Sequence, residues 1–195
     1  MPFIETPAEE TATGATVAMY ERTKANFGYL PNMVRAFGHR PEVMDGWNAL
    51  LGAIRGNLDL RRYELATLAA ARALKSSYCM LAHGSVLLDE GMTPQALRDI
   101  VEDRAGADLT AQERSIMDYA AKIASDATTV TQGDIDTLRN QGLSDAEIFD
   151  IAATAAMRCF FSKLLDGLGA QPDAAYMSIK PELRSALTPG RAIDA

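Results

Sequence analysis

The stretch YELATLAAARALKSSYCMLAHG, Tyr63–Gly84, decides how this chain folds. Its first part is rich in Ala and Leu, strong helix formers, and predicts a helix from about Leu60 to Leu74. The polar pair Ser76-Ser77 interrupts it, and a new helical stretch begins near Tyr78. Cys79 and His83 lie four residues apart on that second stretch, so their side chains share a helix face. The protein has two histidines and two cysteines, and this segment uses one of each.

Helical signals continue on both sides. In PEVMDGWNALLGAI the apolar residues Val43, Met44, Trp47, Leu50, Leu51 and Ile54 recur every three or four positions, which predicts one buried stripe, with Pro41 in the first turn. Thr93-Pro94 opens a helix that buries Leu97, Ile100 and Val101. Thr110 with Glu113, and Ser144 with Glu147, have capping-box spacing ahead of Ile116, Met117, Ala120 and Ile123 in one case and Ile148, Ile151 and Ala155 in the other. Thr131 caps a short helix that stops at Gly142. No stretch alternates with period two between turn residues. The expectation is an all-α fold of seven to nine helices in one domain, residues 1–195. The ends, 1–15 and about 180–195, are poor in large apolar groups and are expected to wrap a neighbour or fray.

An offset of 83 residues lays YELATLAAARALKSSYCMLAHG over AEIFDIAATAAMRCFFSKLLDG. Glu64 falls on Glu147, Gly84 on Gly167, Ser76 on Cys159, Cys79 on Ser162 and His83 on Asp166. This reads either as a degenerate internal helical repeat or as the easy alignment of alanine-rich helices.

A chain of 195 residues that is 48% apolar and 23% charged has the make-up of a globular domain. A net charge of −7 argues against nucleic-acid or anionic-membrane binding, which need clustered Lys and Arg. The N-terminus has no basic-then-apolar signal, and no apolar run reaches the roughly 18 residues of a spanning helix. The expected compartment is the cytoplasm, where Cys79 and Cys159 stay reduced unless they do redox chemistry.

A free cysteine is commonly a small buried hydrophobe. Cys79, however, falls in a first helical turn, where free N–H groups and the dipole favour thiolate, with His83 at hand as a base. Glu64 is the only carboxylate between Leu60 and Leu88. The break before Cys79 would let the two helices pack with Glu64 facing and orienting His83. From spacing alone, though, Glu64 reads as a solvated first-turn glutamate. No metal site is expected: Cys-x3-His supplies two ligands of the four a structural zinc needs, and nothing places His39 or Cys159 beside them. His39 instead reads as a helix-end cap before Pro41. No GxGxxG, P-loop or GxSxG is present, and no cofactor is expected. Arg61, Arg62 and Arg72 are available to bind a carboxylate, although no obvious pair stands near the motif.

With Glu64, Ser76, Cys79 and His83 assembled, the chain resembles the carboxymuconolactone decarboxylase superfamily, in its alkylhydroperoxidase-D-like, peroxidase-related branch. That signature is a glutamate, Cys-x-x-Cys twelve residues on, and a histidine four past the second cysteine. FGYLPNMVRAFGHRPEV upstream and LLDGLGAQPD downstream extend the likeness over most of the chain. The resemblance implies an all-α fold, a trimer, hexamer or dimer of identical subunits, and peroxide reduction. Cys79 would be the peroxidatic thiol, His83 its base and Glu64 the orienting carboxylate, with Ser76 and Tyr78 auxiliary. Ser76 replaces the resolving cysteine, so a thiol reductant from outside, or Cys159, must resolve a sulfenate. Two other readings stand beside this one: a lyase acting on a small acid through His83, and a non-catalytic oligomeric or ligand-binding protein.

Overall fold

The computed structural model describes residues 2–103 and 107–192. Among the described residues ten α-helices follow one another: α1 (Gly14–Phe27), α2 (Asn32–Ala36), α3 (Pro41–Arg55), α4 (Leu60–Ala73), α5 (Ser77–Asp89), α6 (Pro94–Glu102), α7 (Ala111–Asp126), α8 (Gln132–Asn140), α9 (Asp145–Leu168) and α10 (Pro181–Ala186). Among the described residues there is no strand, and the fold is all-α. The two helices smaller than any of the others, α2 and α10, take the total beyond the expected seven to nine. No described helix is long and apolar enough to cross a membrane.

Helix α4 is the axis of the packing, in contact with α5, α7 and α9, while α7 and α9 also meet. Leu65, Ala66, Ala70 and Ala71 are fully buried, so α4 is covered on nearly every side. Its alanines let neighbouring backbones approach closely, since interaxial distance is set by the side chains between helices. The ends are locked by charge. Asp59 caps α4 through the Arg62 N–H. Both sequence-predicted capping boxes form, at Thr110/Glu113 on α7 and Ser144/Glu147 on α9. Each capping glutamate also binds an α4 arginine: Glu113 takes Arg61, and Glu147 takes Arg62 at 2.9 Å.

The break in the deciding stretch has a specific form. Leu74 ends α4 and Lys75 turns into the left-handed region at φ 56°. Lys75 N–H then bonds Arg72 O at 3.0 Å and Ser76 N–H bonds Ala71 O at 2.9 Å, the two hydrogen bonds of a Schellman motif. Helix α5 starts at once, at Ser77. The offset copy does not repeat this reversal, because α9 runs unbroken through the equivalent residues. The echo is therefore one of sequence and not of local conformation.

Two expectations are corrected. Val43 and Leu50 lie on the outer side of α3 and are exposed, whereas Met44, Trp47 and Ile54 carry the buried stripe. His39 caps no helix. It sits in the 3-10 turn Phe37–His39 and holds Glu5 O at 2.7 Å. At the N-terminal end of the described chain Phe3 N–H bonds Leu168 O, and Tyr20 donates to Pro7 O. At the C-terminal end of the described residues Leu183 and Leu187 are buried and α10 packs on α6.

That C-terminal segment closes over the α4–α5 break. Gly190 N–H donates to Ser77 Oγ at 3.0 Å, and a Cβ on Gly190 would stand 1.9 Å from Lys75 O. Backbone cannot give way as a flexible side chain does. Gly190→Ala is therefore expected to lose about 1–3 kcal/mol of stability, read as a lowered denaturant midpoint at unchanged m-value.

Candidate functional site

Cys79 occupies the third position of α5 and is 1% exposed. Its sulfur is held from across the core by α9: Ser162 Oγ–H donates to Sγ at 3.2 Å and Arg158 Nη1 approaches at 3.7 Å. Residues 158 and 162 are one turn apart, so a single face of α9 presents both. Among the described residues, neither His83 nor Ser76 is one of the sulfur's hydrogen-bond partners.

His83 faces α4 instead. Its Nδ1 lies 2.6 Å from Glu64 Oε2, and Glu64 is 2% exposed. The glutamate is thus no solvated first-turn residue. The carboxylate can only accept, so Nδ1 carries the proton and Nε2 is left as the basic nitrogen. Burial pushes the imidazole below the ordinary histidine value, and the Arg158 charge adds to that; the Glu64 bond and charge pull the other way. Tyr63 touches the ring edge-on, with centroids 6.2 Å apart. Its hydroxyl accepts from Arg158 Nη2 at 3.4 Å.

Cys79, His83, Glu64, Tyr63 and Arg158 meet on one cavity of about 500 Å³. Its wall is otherwise largely apolar, including Met33, Val34, Met44, Trp47 and Phe161. Tyr78 lines it too, and also anchors α5. Its hydroxyl donates to Asp173 Oδ2 at 2.5 Å and accepts from Met33 N–H at 3.0 Å. Asp173 further accepts from Asn32 N–H at 2.7 Å. Burial raises the acid's pKa against these donors, and raises that of the phenol well above its ordinary value.

The other expected residues stand apart. Ser76 is buried and faces the Asp166 carboxyl without a hydrogen bond of ordinary geometry. Cys159 is half-buried on another side of α9 and does not line the cavity; burial pushes its thiol up. The structure does not bring it to Cys79. Arg61 and Arg62 are engaged by Glu113 and Glu147, and Arg72 is not on the cavity wall. Sequence reasoning missed Arg158 altogether. It named Ser162 only as the residue the 83-residue offset lays over Cys79, and that is the residue that touches it. Among the described residues, no group of three or more His, Cys, Asp or Glu is arranged to hold a metal ion.

This helical architecture is the AhpD-like fold. The chain superposes on the AhpD core of an uncharacterised peroxidase-related protein from Ralstonia eutropha JMP134 with a TM-score of 0.80, at 22% identity over 90% of this chain and 94% of that one. An uncharacterised peroxidase-related protein from Silicibacter sp. TM1040 gives 0.76, at 23% identity over 91% and 96%. The debrominase Bmp8, as its C82A variant in complex with 2,3,4-tribromopyrrole, gives 0.77 at 15% identity over 94% and 100%. At these identities the likeness is one of fold. No curated protein matches the sequence. Residues 41–122 match the profile of the Carboxymuconolactone decarboxylase family, and that segment contains Glu64, Ser76, Cys79 and His83. The resemblance read from those four residues is thereby borne out.

The two histidines make the electrostatics directly measurable by NMR titration. His83 is expected to titrate below 6.5, staying neutral at pH 7 and gaining its proton only as pH falls. Glu64→Gln removes the charge that raises the pKa and should move the titration lower still. Arg158→Met removes a charge that lowers it and should move the titration up.

Proposed function

We propose that the protein is a peroxidase-related thiol oxidoreductase, with Cys79 as the sulfur that reduces a peroxide. The observation that carries this reading is the convergence of Cys79 Sγ and the His83–Glu64 pair on one apolar cavity. Neutral His83, held by Glu64, has Nε2 free to take the thiol proton and later return it. Sγ attacks one peroxide oxygen, the O–O bond breaks as the S–O bond forms, and the departing oxygen leaves as alcohol with that proton. The sum is Cys79–SH plus ROOH giving Cys79–SOH plus ROH. The Arg158 guanidinium and the Ser162 hydroxyl lie against the sulfur, where they favour negative charge on it during the attack.

Recovery uses an external thiol. One equivalent displaces water from Cys79–SOH to give a mixed disulfide, and a second releases Cys79–SH and the oxidised thiol. Ser76 cannot form a disulfide, and Cys159 lies on another side of α9. An enzyme of this kind depends on small thiols that reach the cavity and is prone to over-oxidation when they run short.

Intact-mass analysis after stoichiometric hydroperoxide tests the reading. Dimedone should trap one adduct, unchanged in Cys159→Ser and absent in Cys79→Ser. An adduct that maps to Cys159, or none at all, overturns the proposal. His83→Ala should slow adduct formation by about 10²–10⁴-fold, the usual contribution of a positioned base.

A further inference from the structure

Thiol chemistry gives Arg158 a transient charge to face on the Cys79 sulfur, but no lasting partner. Its side chain is 2% exposed, yet it lines the cavity beside Cys79. A guanidinium cannot shed its proton to escape burial. Its contacts are neutral groups: the Cys79 sulfur at 3.7 Å, the Tyr63 hydroxyl at 3.4 Å, and the faces of Trp47 and Phe161 at 5.7 Å each. Its Nε makes no hydrogen bond. Among the described residues Arg158 makes no ion pair with a carboxylate. Glu64, the acid on the cavity wall, is committed to His83. A second arginine, Arg55, lines the same cavity with its guanidinium over the Tyr63 ring at 5.7 Å. Buried cations are normally paired with an acid, because desolvating a lone charge is costly. Apart from the transient charge on the sulfur during attack, an anion that pairs with Arg158 would come from what the cavity binds.

We propose that Arg158 is the anchor of a carboxylate subsite, and that the cavity takes an amphiphilic organic acid whose apolar body lies along Val34, Met44 and Trp47. Resting on the peroxidase reading above, this names the substrate class as organic hydroperoxides that carry a carboxylate. The guanidinium and the sulfur are 3.7 Å apart, so the carboxylate and the peroxide of a productive substrate lie close together in the molecule. A planar, bidentate donor discriminates a carboxylate from a neutral or cationic head group of the same chain length.

Trp47, the single tryptophan, lines the cavity and reports on its contents. Fluorescence titration of the full chain with octanoate, octanol and octylamine at pH 7.5 tests the subsite without any redox step. Octanoate should bind at least about tenfold tighter than octanol, and octylamine no tighter than octanol. Arg158→Met should keep the octanol affinity and bring the octanoate-to-octanol ratio close to one. Equal binding of octanoate and octanol by the unmodified chain overturns the proposal, as does a ratio that survives Arg158→Met. If that variant does not fold, the head-group series on the unmodified chain decides by itself. Failure of Cys79 to oxidise would remove the hydroperoxide from the proposal but leave the carboxylate preference to be read from this titration.

Discussion

The whole arrangement hangs on the reversal between α4 and α5. Glu64 and His83 are 19 residues apart. On one uninterrupted helix they would be separated by about 28 Å along the axis. The left-handed turn at Lys75 folds the second helix back, and the two side chains meet at 2.6 Å. The same reversal starts α5 two residues before Cys79, which places the sulfur in the helix's first turn and inside the core. A non-glycine residue in this conformation carries a steric penalty on the order of 1 kcal/mol, which the surrounding packing must offset. The satisfied carbonyls of Ala71 and Arg72 and the backbone of Gly190 seated over Lys75 supply part of that.

Local physics made much of the fold legible. A capping box needs only four consecutive residues, and Thr110/Glu113 and Ser144/Glu147 were readable because nothing distant decides them. The α4–α5 break was legible for the same reason, though not its left-handed lysine. Burial is a different matter. Glu64 reads from spacing as a solvated glutamate near the start of a helix, and only the approach of α5 makes it a buried partner. Val43 and Leu50 belong to the apolar period of α3 but face outward, since period alone does not say how wide a stripe the neighbours cover. Near the chain ends, contacts between residues far apart in sequence, such as Phe3 with Leu168 and Gly169, lie beyond any spacing argument. Arg158 lies 79 residues from the sulfur it approaches, in a helix with no local signature, so no spacing argument reaches it.

The electrostatics invert between surface and interior. The chain carries a net charge of −7, and Arg61 and Arg62 of α4 are paired with the capping glutamates of α7 and α9. Within the cavity the balance is reversed: Arg22, Arg55 and Arg158 share the wall with a carboxylate already bonded to an imidazole. The charges that stabilise helix ends and those that face the cavity are different residues, so stability and site chemistry are separable by substitution.

Residues near both ends of the described chain meet at the C-terminus of α9. Phe3 bonds Leu168 O and lays its ring on Gly169, while the Arg191 guanidinium stacks over that ring at 4.8 Å. A short linker from Phe3 to Arg191 would therefore cross little space and leave the packing of α4, α5, α7 and α9 undisturbed, so this face of the molecule is where the chain could be closed on itself.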